Sequence, residues 1–322
     1  MRKILVKHTH IEISPYEKGE CEQLELSLSI RDDINYKYIP IGFLIHNETL
    51  YLPRGINLDY LQRKLGGNIE VSRDADSYKL MKTYYMTASP RDEIQEMAEK
   101  FIMNLFENKD ALKYSQIGIN LETGDGKTFS MVNAIIKSRY KSIIITHSNK
   151  IKSQWINEFS TMSNIPRENL IDISGSTIMS EILVGNISGD VYFINHQTIQ
   201  SFIRSKGYDM LQRFFSTLNV GIKVYDEAHL QIKNTFITDM FSNTMRTFYV
   251  TATFERSSKA EQRIFDKAYG EMYRFGKQLQ HHESKRRHMI YIPTYFSSSM
   301  SSVEAPMLNT PKGLSAYKYI DY

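Results

Sequence analysis

The sequence predicts an α/β protein: a parallel sheet flanked by helices, with a small α+β domain at the N-terminus. Two observations lead there. From about residue 86 to residue 276, short apolar runs alternate with helix-length amphipathic stretches. Repeated strand–helix units of this kind pack as a parallel sheet with helices on both faces. Before residue 86 the strand-like runs crowd together between turn signals, which favours hairpins.

The elements follow in order. Residues 1–7 carry too short an apolar part for a signal peptide and read as an edge strand. Residues 38–45 and 49–52 flank His46-Asn47-Glu48, a hairpin pattern. Residues 56–65 have helical spacing, with Asn57 as N-cap and Gly66-Gly67 as the stop. Ser89-Pro90 predicts the start of a helix running through Ile102. Residues 117–121 are a buried strand, followed by a loop and a helix from Thr128. Residues 142–146 form the next strand and 151–159 the next helix; 190–194, 221–225 and 246–250 continue the series as strands. In such a sheet ligands bind at the carboxyl ends of the strands. Beyond residue 276 the pattern stops. Residues 280–288 are polar and basic, 297–302 are serine-rich, and Pro306 and Pro311 follow, which predicts a linker or extended arm over 277–322.

Composition narrows the function classes. A net charge of +4 permits nucleic-acid binding without demanding it. No apolar run approaches the roughly 18 residues of a membrane span, so no membrane partner is expected. Cys21 is the only cysteine, which excludes an intrachain disulfide or a cysteine-rich zinc site and suits a reducing cytoplasm.

Two segments carry chemistry. Thr123-Gly124-Asp125-Gly126-Lys127-Thr128 lies between a strand and a helix, the setting a phosphate-binding loop requires. Gly124 and Gly126 let backbone N–H groups turn toward phosphate oxygens, and the helix N-terminus adds positive potential. Lys127 would reach the β- and γ-phosphates, and the Thr128 hydroxyl would ligate Mg²⁺. The full eight-residue pattern opens with Gly, where this chain has Leu121. The second segment, Asp226-Glu227-Ala228-His229, follows the strand-like Lys223-Val224-Tyr225. Asp226 would hold Mg²⁺, and Glu227 would orient and deprotonate a water. Either alone fits a solvated turn; two such segments at strand ends make a nucleotide site.

These segments resemble the first motor domain of the superfamily 2 helicases, a RecA-like fold. Residues 121–128 resemble the family's first motif, its Walker A loop, and residues 226–229 the DEAH box. Thr251-Ala252-Thr253 is similar to the motif that links hydrolysis to movement, and with it the resemblance gives His229, Thr251 and Thr253 a coupling role. Residues 145–155 resemble the segment that grips a nucleic-acid backbone, with His147-Ser148 in place of Pro-Thr. Asn195-His196-Gln197-Thr198 resembles a further DNA-side motif. Ile94-Gln95-Glu96-Met97-Ala98 is similar to the segment that reads adenine, which assigns that role to Gln95 and replaces its aromatic partner by Ile94. Among branches of the family, the phage helicases of branch migration and recombination repair are the most alike, through residues 50–56 before a helix.

The resemblance implies an ATP- and Mg²⁺-dependent DNA helicase or translocase that remodels branched or forked DNA, in the host cytoplasm if phage-encoded. It implies three regions: an accessory domain over 1–85 that could bind DNA, a motor domain over 86–276 and an arm over 277–322. Ser148, Lys150, Gln197, Thr198 and Arg54 are the candidate DNA contacts. Trp155 reads as helix-packing core rather than a base-stacking ring. The arginine-bearing Gly-Arg-x-x-Arg segment of a second motor domain is not found in these 322 residues, so a truncated chain with weak hydrolysis is expected. Two rivals remain: a double-stranded DNA translocase of the restriction type, and a nucleotide-binding regulatory module without motor action.

Overall fold

The computed structural model describes residues 2–276 except 33, 72–77, 108–113, 123, 257 and 271, together with two short strands near the C-terminus. Met1–Gln280 is one compact unit and His281–Tyr322 a second. In the second unit the described backbone is an antiparallel pair, Asn309–Thr310 with Gly313–Leu314. The rest of the expected arm lies outside the described residues.

In the first unit, the chain starts with a five-stranded sheet. Its strands are β1 (Lys3–Val6), β2 (His10–Ser14), β5 (Leu44–His46), β6 (Thr49–Pro53) and β7 (Asn68–Val71), in the order β5-β6-β2-β1-β7. The first strand is therefore not an edge strand, as the sequence suggested. Residues 68–71 return in parallel beside it, pairing Asn68 with Lys3. The hairpin is present, but its first arm is only Leu44–His46, because residues 37–40 pair elsewhere, and its turn is tight. His46 pairs with Thr49, and Asn47 and Glu48 both take left-handed φ, +48° and +53°, the geometry that matches strand twist in two-residue hairpins. Helix α1 (Glu22–Ser27) and a separate hairpin of β3 (Ser29–Asp32) and β4 (Lys37–Pro40) intervene. Helix α2 (Leu58–Leu65) begins as expected: Asn57 accepts the Tyr60 N–H at 2.8 Å. It ends at Gly66, φ +67°.

Seven strands form the larger sheet: β8 (Gln116–Asn120), β9 (Ser142–Thr146), β10 (Leu170–Ile173), β11 (Val191–Asn195), β12 (Ile222–Asp226), β13 (Arg246–Thr251) and β14 (Tyr273–Phe275). The order is β10-β11-β9-β12-β13-β8-β14, and every pairing is parallel. The RecA-like α/β expectation holds. Helices α3 (Glu93–Glu107), α4 (Lys127–Ser138) and α5 (Asn149–Met162) share one apolar cluster with the Ile119, Ile144, Val224 and Val250 face. On the other face lie α6 (Ser176–Leu183), α7 (His196–Lys206), α8 (Tyr208–Leu218), α9 (Ile232–Met240) and α10 (Lys259–Tyr269). The N-terminal sheet joins that second cluster through Ile4, Ile11, Ile13, Leu50 and Leu52.

Helix α3 departs from expectation at its start. It opens at Glu93 rather than Ser89-Pro90 because Asp92 provides the cap, accepting the Gln95 N–H at 3.1 Å.

Candidate nucleotide site

Register brings the motifs to one edge. Asp226 pairs with Val250 and Thr251 with Asn120, while Asn195 pairs with Thr146. Each pairing lies at the carboxyl ends of its strands, so the loops that follow β8, β9, β11, β12 and β13 open on the same side of the sheet.

The loop after β8 is shaped by its glycines. Gly124 has φ +97° and Gly126 φ +86°, a region that disfavours side chains. A Cβ at Gly126 would also overlap the Gln95 amide. Gln95 is 4% exposed and accepts the Arg91 N–H at 2.8 Å, and Arg91 donates from Nη2 to the Gly124 carbonyl at 2.8 Å. Asp125 accepts the Glu122 N–H at 3.1 Å, closing the turn from inside. Lys127 and Thr128 form the first turn of α4, whose N-cap is Gly126. Thr123 lies outside the described residues.

Across from this loop, Lys127 Nζ lies 3.5 Å from Glu227 Oε1. Glu227 sits at φ +50°, a left-handed conformation uncommon for a residue with a Cβ. His229 Nδ1 is 2.8 Å from Thr251 Oγ1 and 3.1 Å from Glu227 Oε2. The Thr251 hydroxyl donates to the Thr253 carbonyl at 2.7 Å, so its oxygen is free to accept from His229 and from the Thr253 N–H. Lys127, Glu227, His229, Thr251 and Thr253 are thus one bonded set.

Burial pushes the Asp226 carboxyl above its ordinary value. The Trp155 indole N–H, donated to Oδ2 at 2.9 Å, pulls it back; Glu227 pushes it further up, and Lys127 and His147 pull it down. Trp155 is core, as expected, at 2% exposure. Its bond to Asp226 was not foreseen. Two arginines were also missed, Arg91 and Arg256. Arg256 donates to the carbonyls of His229 and, at 3.1 Å, Ala228, and lies over the Phe265 ring at 4.8 Å. No motif flags either arginine, because both act on backbone carbonyls.

The loop and the carboxylates suit a magnesium nucleotide. The space beside Gly126 excludes a side chain, and Thr128 and Asp226 supply the hard oxygen donors that Mg²⁺ prefers. Among the described residues no cluster of three or more His, Cys, Asp or Glu forms an all-protein metal site.

The candidate nucleic-acid residues fall into two groups. The Ser148 hydroxyl caps α5 by accepting the Ile151 N–H at 3.4 Å, and Lys150 is exposed on its first turn. Gln197 is exposed at the start of α7, whereas Thr198 is 7% exposed and packs inward. A bond from Asn195 Nδ2 to Asn149 Oδ1, at 2.6 Å, ties these segments together. Arg54 lies apart, half-buried after β6.

The parallel sheet and the loops that meet at one of its edges have the architecture of a helicase-type motor domain. The family model "type III restriction enzyme, res subunit" matches residues 88–256, more than half of the chain. The chain belongs to that family, within the superfamily 2 helicases. A structure of the UvsW helicase from bacteriophage T4 aligns at a TM-score of 0.50 and 15% identity, covering 85% of this chain and 98% of that one. A second T4 UvsW structure aligns at 0.49 and 15% identity, covering 85% of this chain and 56% of that one. The Pyrococcus furiosus Hef helicase domain aligns at 0.41 and 16% identity, covering 56% and 38%. At these identities the T4 likeness at 0.50 demonstrates a shared fold. No curated protein matches the sequence. No helix among the described residues is long and apolar enough to cross a membrane.

Proposed function

We propose that this chain supplies the first motor domain, with an N-terminal accessory domain, of an ATP-dependent DNA helicase or translocase that remodels branched or forked DNA. The observation that carries the proposal is the bonded set at one sheet edge, from Lys127 through Glu227 and His229 to Thr251. Lys127 and the amides of residues 124–128 hold the phosphates, with Gln95 reading the adenine edge and Thr123 proposed as a further nucleotide contact. Thr128 and Asp226 would hold Mg²⁺, which would supply positive charge against the charge that develops on the phosphates. Glu227 takes a proton from the attacking water. His229 and Thr251-Ala252-Thr253 pass the change in charge at Glu227 toward Ser148, Lys150, Gln197 and Thr198 on the DNA side, and Arg54 contributes at its margin. Residues 1–85 serve as an accessory unit, 86–276 as the motor and 277–322 as an arm.

Lys127→Ala and Glu227→Gln test the proposal. Lys127→Ala should lose nucleotide affinity at least tenfold, measured with a fluorescent ATP analogue. Glu227→Gln should keep that affinity and lose DNA-dependent hydrolysis by about 10²-fold or more, the ordinary worth of a positioned base. Unchanged binding and hydrolysis in both variants would overturn the motor reading. Strand displacement on forked and four-way DNA then separates helicase from double-strand translocase. ATP turnover without displacement of either substrate would favour the restriction-type translocase.

A further inference from the structure

One buried carboxylate has no part in the scheme above. Asp239, on α9, is 2% exposed and is surrounded by four donors. Its Oδ1 accepts the Tyr225 hydroxyl at 2.7 Å and lies 2.6 Å from Lys223 Nζ. Its Oδ2 accepts the hydroxyls of Tyr249 at 2.7 Å and Tyr269 at 2.8 Å. Lys223, Tyr225, Tyr249 and Tyr269 are each 1% exposed or less. A buried ion pair of this kind is weak ground for stability, since apolar residues of equal volume often serve as well. What it does impose is geometry.

That geometry joins every strand bearing a nucleotide motif. Lys223 and Tyr225 lie on β12, which ends at Asp226. Tyr249 lies on β13, which ends at Thr251, and its hydroxyl also accepts from Gln116 Nε2 at 3.3 Å, on the strand that leads into the phosphate loop. The ring of His196, in the DNA-side segment, stacks on Tyr225 with centroids 5.9 Å apart and planes 6° from parallel. On the far side Lys223 donates to Ser242 Oγ at 2.5 Å, and the Ser242 carbonyl accepts the Thr9 hydroxyl of the N-terminal sheet. All four donors converge on one carboxylate, so none can shift without disturbing the others.

We propose that Asp239 and its three tyrosines are positioning residues that couple nucleic-acid binding at the exposed Gln197, on the first turn of α7, to the placement of Glu227 and Thr251 in the nucleotide site. The proposal rests on the motor reading. A strand bound at the exposed Gln197 shifts the first turn of α7, and with it the buried His196 ring stacked on Tyr225. Tyr225 shifts on Asp239, and Asp239 carries the shift to β13 through Tyr249.

Coupling between two ligands is reciprocal and measurable, and spatial intermediacy alone does not establish it. The test therefore measures the affinity of a fluorescent ATP analogue with Mg²⁺, alone and with saturating single-stranded oligonucleotide, in the wild type, Tyr225→Phe and Tyr249→Phe. The wild type should show a coupling factor within roughly 5- to 150-fold, the ordinary range for linked sites. Each phenylalanine keeps the ring and removes one hydroxyl. Affinities for each ligand alone should stay within about twofold, while the coupling factor falls toward one. Asp239→Asn, checked for folding by thermal melting, should do the same. Full coupling in the folded variants would overturn the proposal. So would equal losses of both affinities, tracking a lowered melting temperature with the factor unchanged, since that marks a purely structural role. Nucleotide binding without any coupling in the wild type sinks this proposal and leaves the nucleotide site standing; no nucleotide binding at all sinks the motor reading as well.

Discussion

At the scale of single residues, Trp155 shows how one bond changes a role. Its large apolar ring makes it core, and it is buried. Its indole N–H also donates to Asp226, the carboxylate proposed to hold Mg²⁺, and so favours the ionised form that a metal requires. Trp155→Phe keeps most of the packing and removes the donor. The Asp226 carboxyl, already raised by burial, should rise further. Mg²⁺-dependent binding of an ATP analogue should then reach half its maximum at a higher pH than in the wild type. An unchanged pH profile would show that the indole bond does not tune Asp226. The neighbouring Gly126 was readable from its motif, because no other residue suits a left-handed cap so close to another side chain.

At the scale of elements, α7 carries a pH dependence. Burial pushes the His196 imidazole, at its first residue, down to about 4 from 6.5. The native ring stays neutral through that interval while the unfolded chain takes up a proton. Stability is therefore complete above about pH 6.5 and falls as the pH drops toward 4. His196→Gln should flatten the decline in urea midpoint between pH 7 and pH 5. A slope will remain, because burial also lowers the His10 imidazole. An identical slope in the variant would contradict the account. Element types were legible where periodicity was strong, as in β8, β9, β12 and β13. Their ends were less so. The start of α3 turned on whether Asp92 or Ser89 capped it, and both are cap-forming residues.

At the scale of the whole first unit, the N-terminal sheet and the α7–α10 side of the larger sheet share one apolar cluster. Their backbones touch at Gly55, whose N–H donates to the Ala268 carbonyl at 3.2 Å. A Cβ at Gly55 would overlap that carbonyl oxygen. Backbone cannot yield as a flexible side chain can, so Gly55→Ala should cost about 1–3 kcal/mol in urea unfolding, the usual penalty for overpacking. A loss much smaller than that would mean the two sheets part readily at α10.

Strands β8, β9, β11, β12 and β13, helices α2 to α5 and the loops after β8 and β12 were readable along the chain, because each is written in neighbouring residues; β7, β10, β14 and helices α6 to α10 were not. Hydrophobic period, glycine placement and cap chemistry act over a few positions. The place of β1 inside its sheet was not readable, since it depends on residues 68–71 returning beside it. Nor were the bonds of Trp155 to Asp226, Arg256 to the box carbonyls, or three tyrosines to Asp239. Each joins residues remote in sequence whose types are common in ordinary cores. Only the register of a folded parallel sheet sets them within hydrogen-bonding distance.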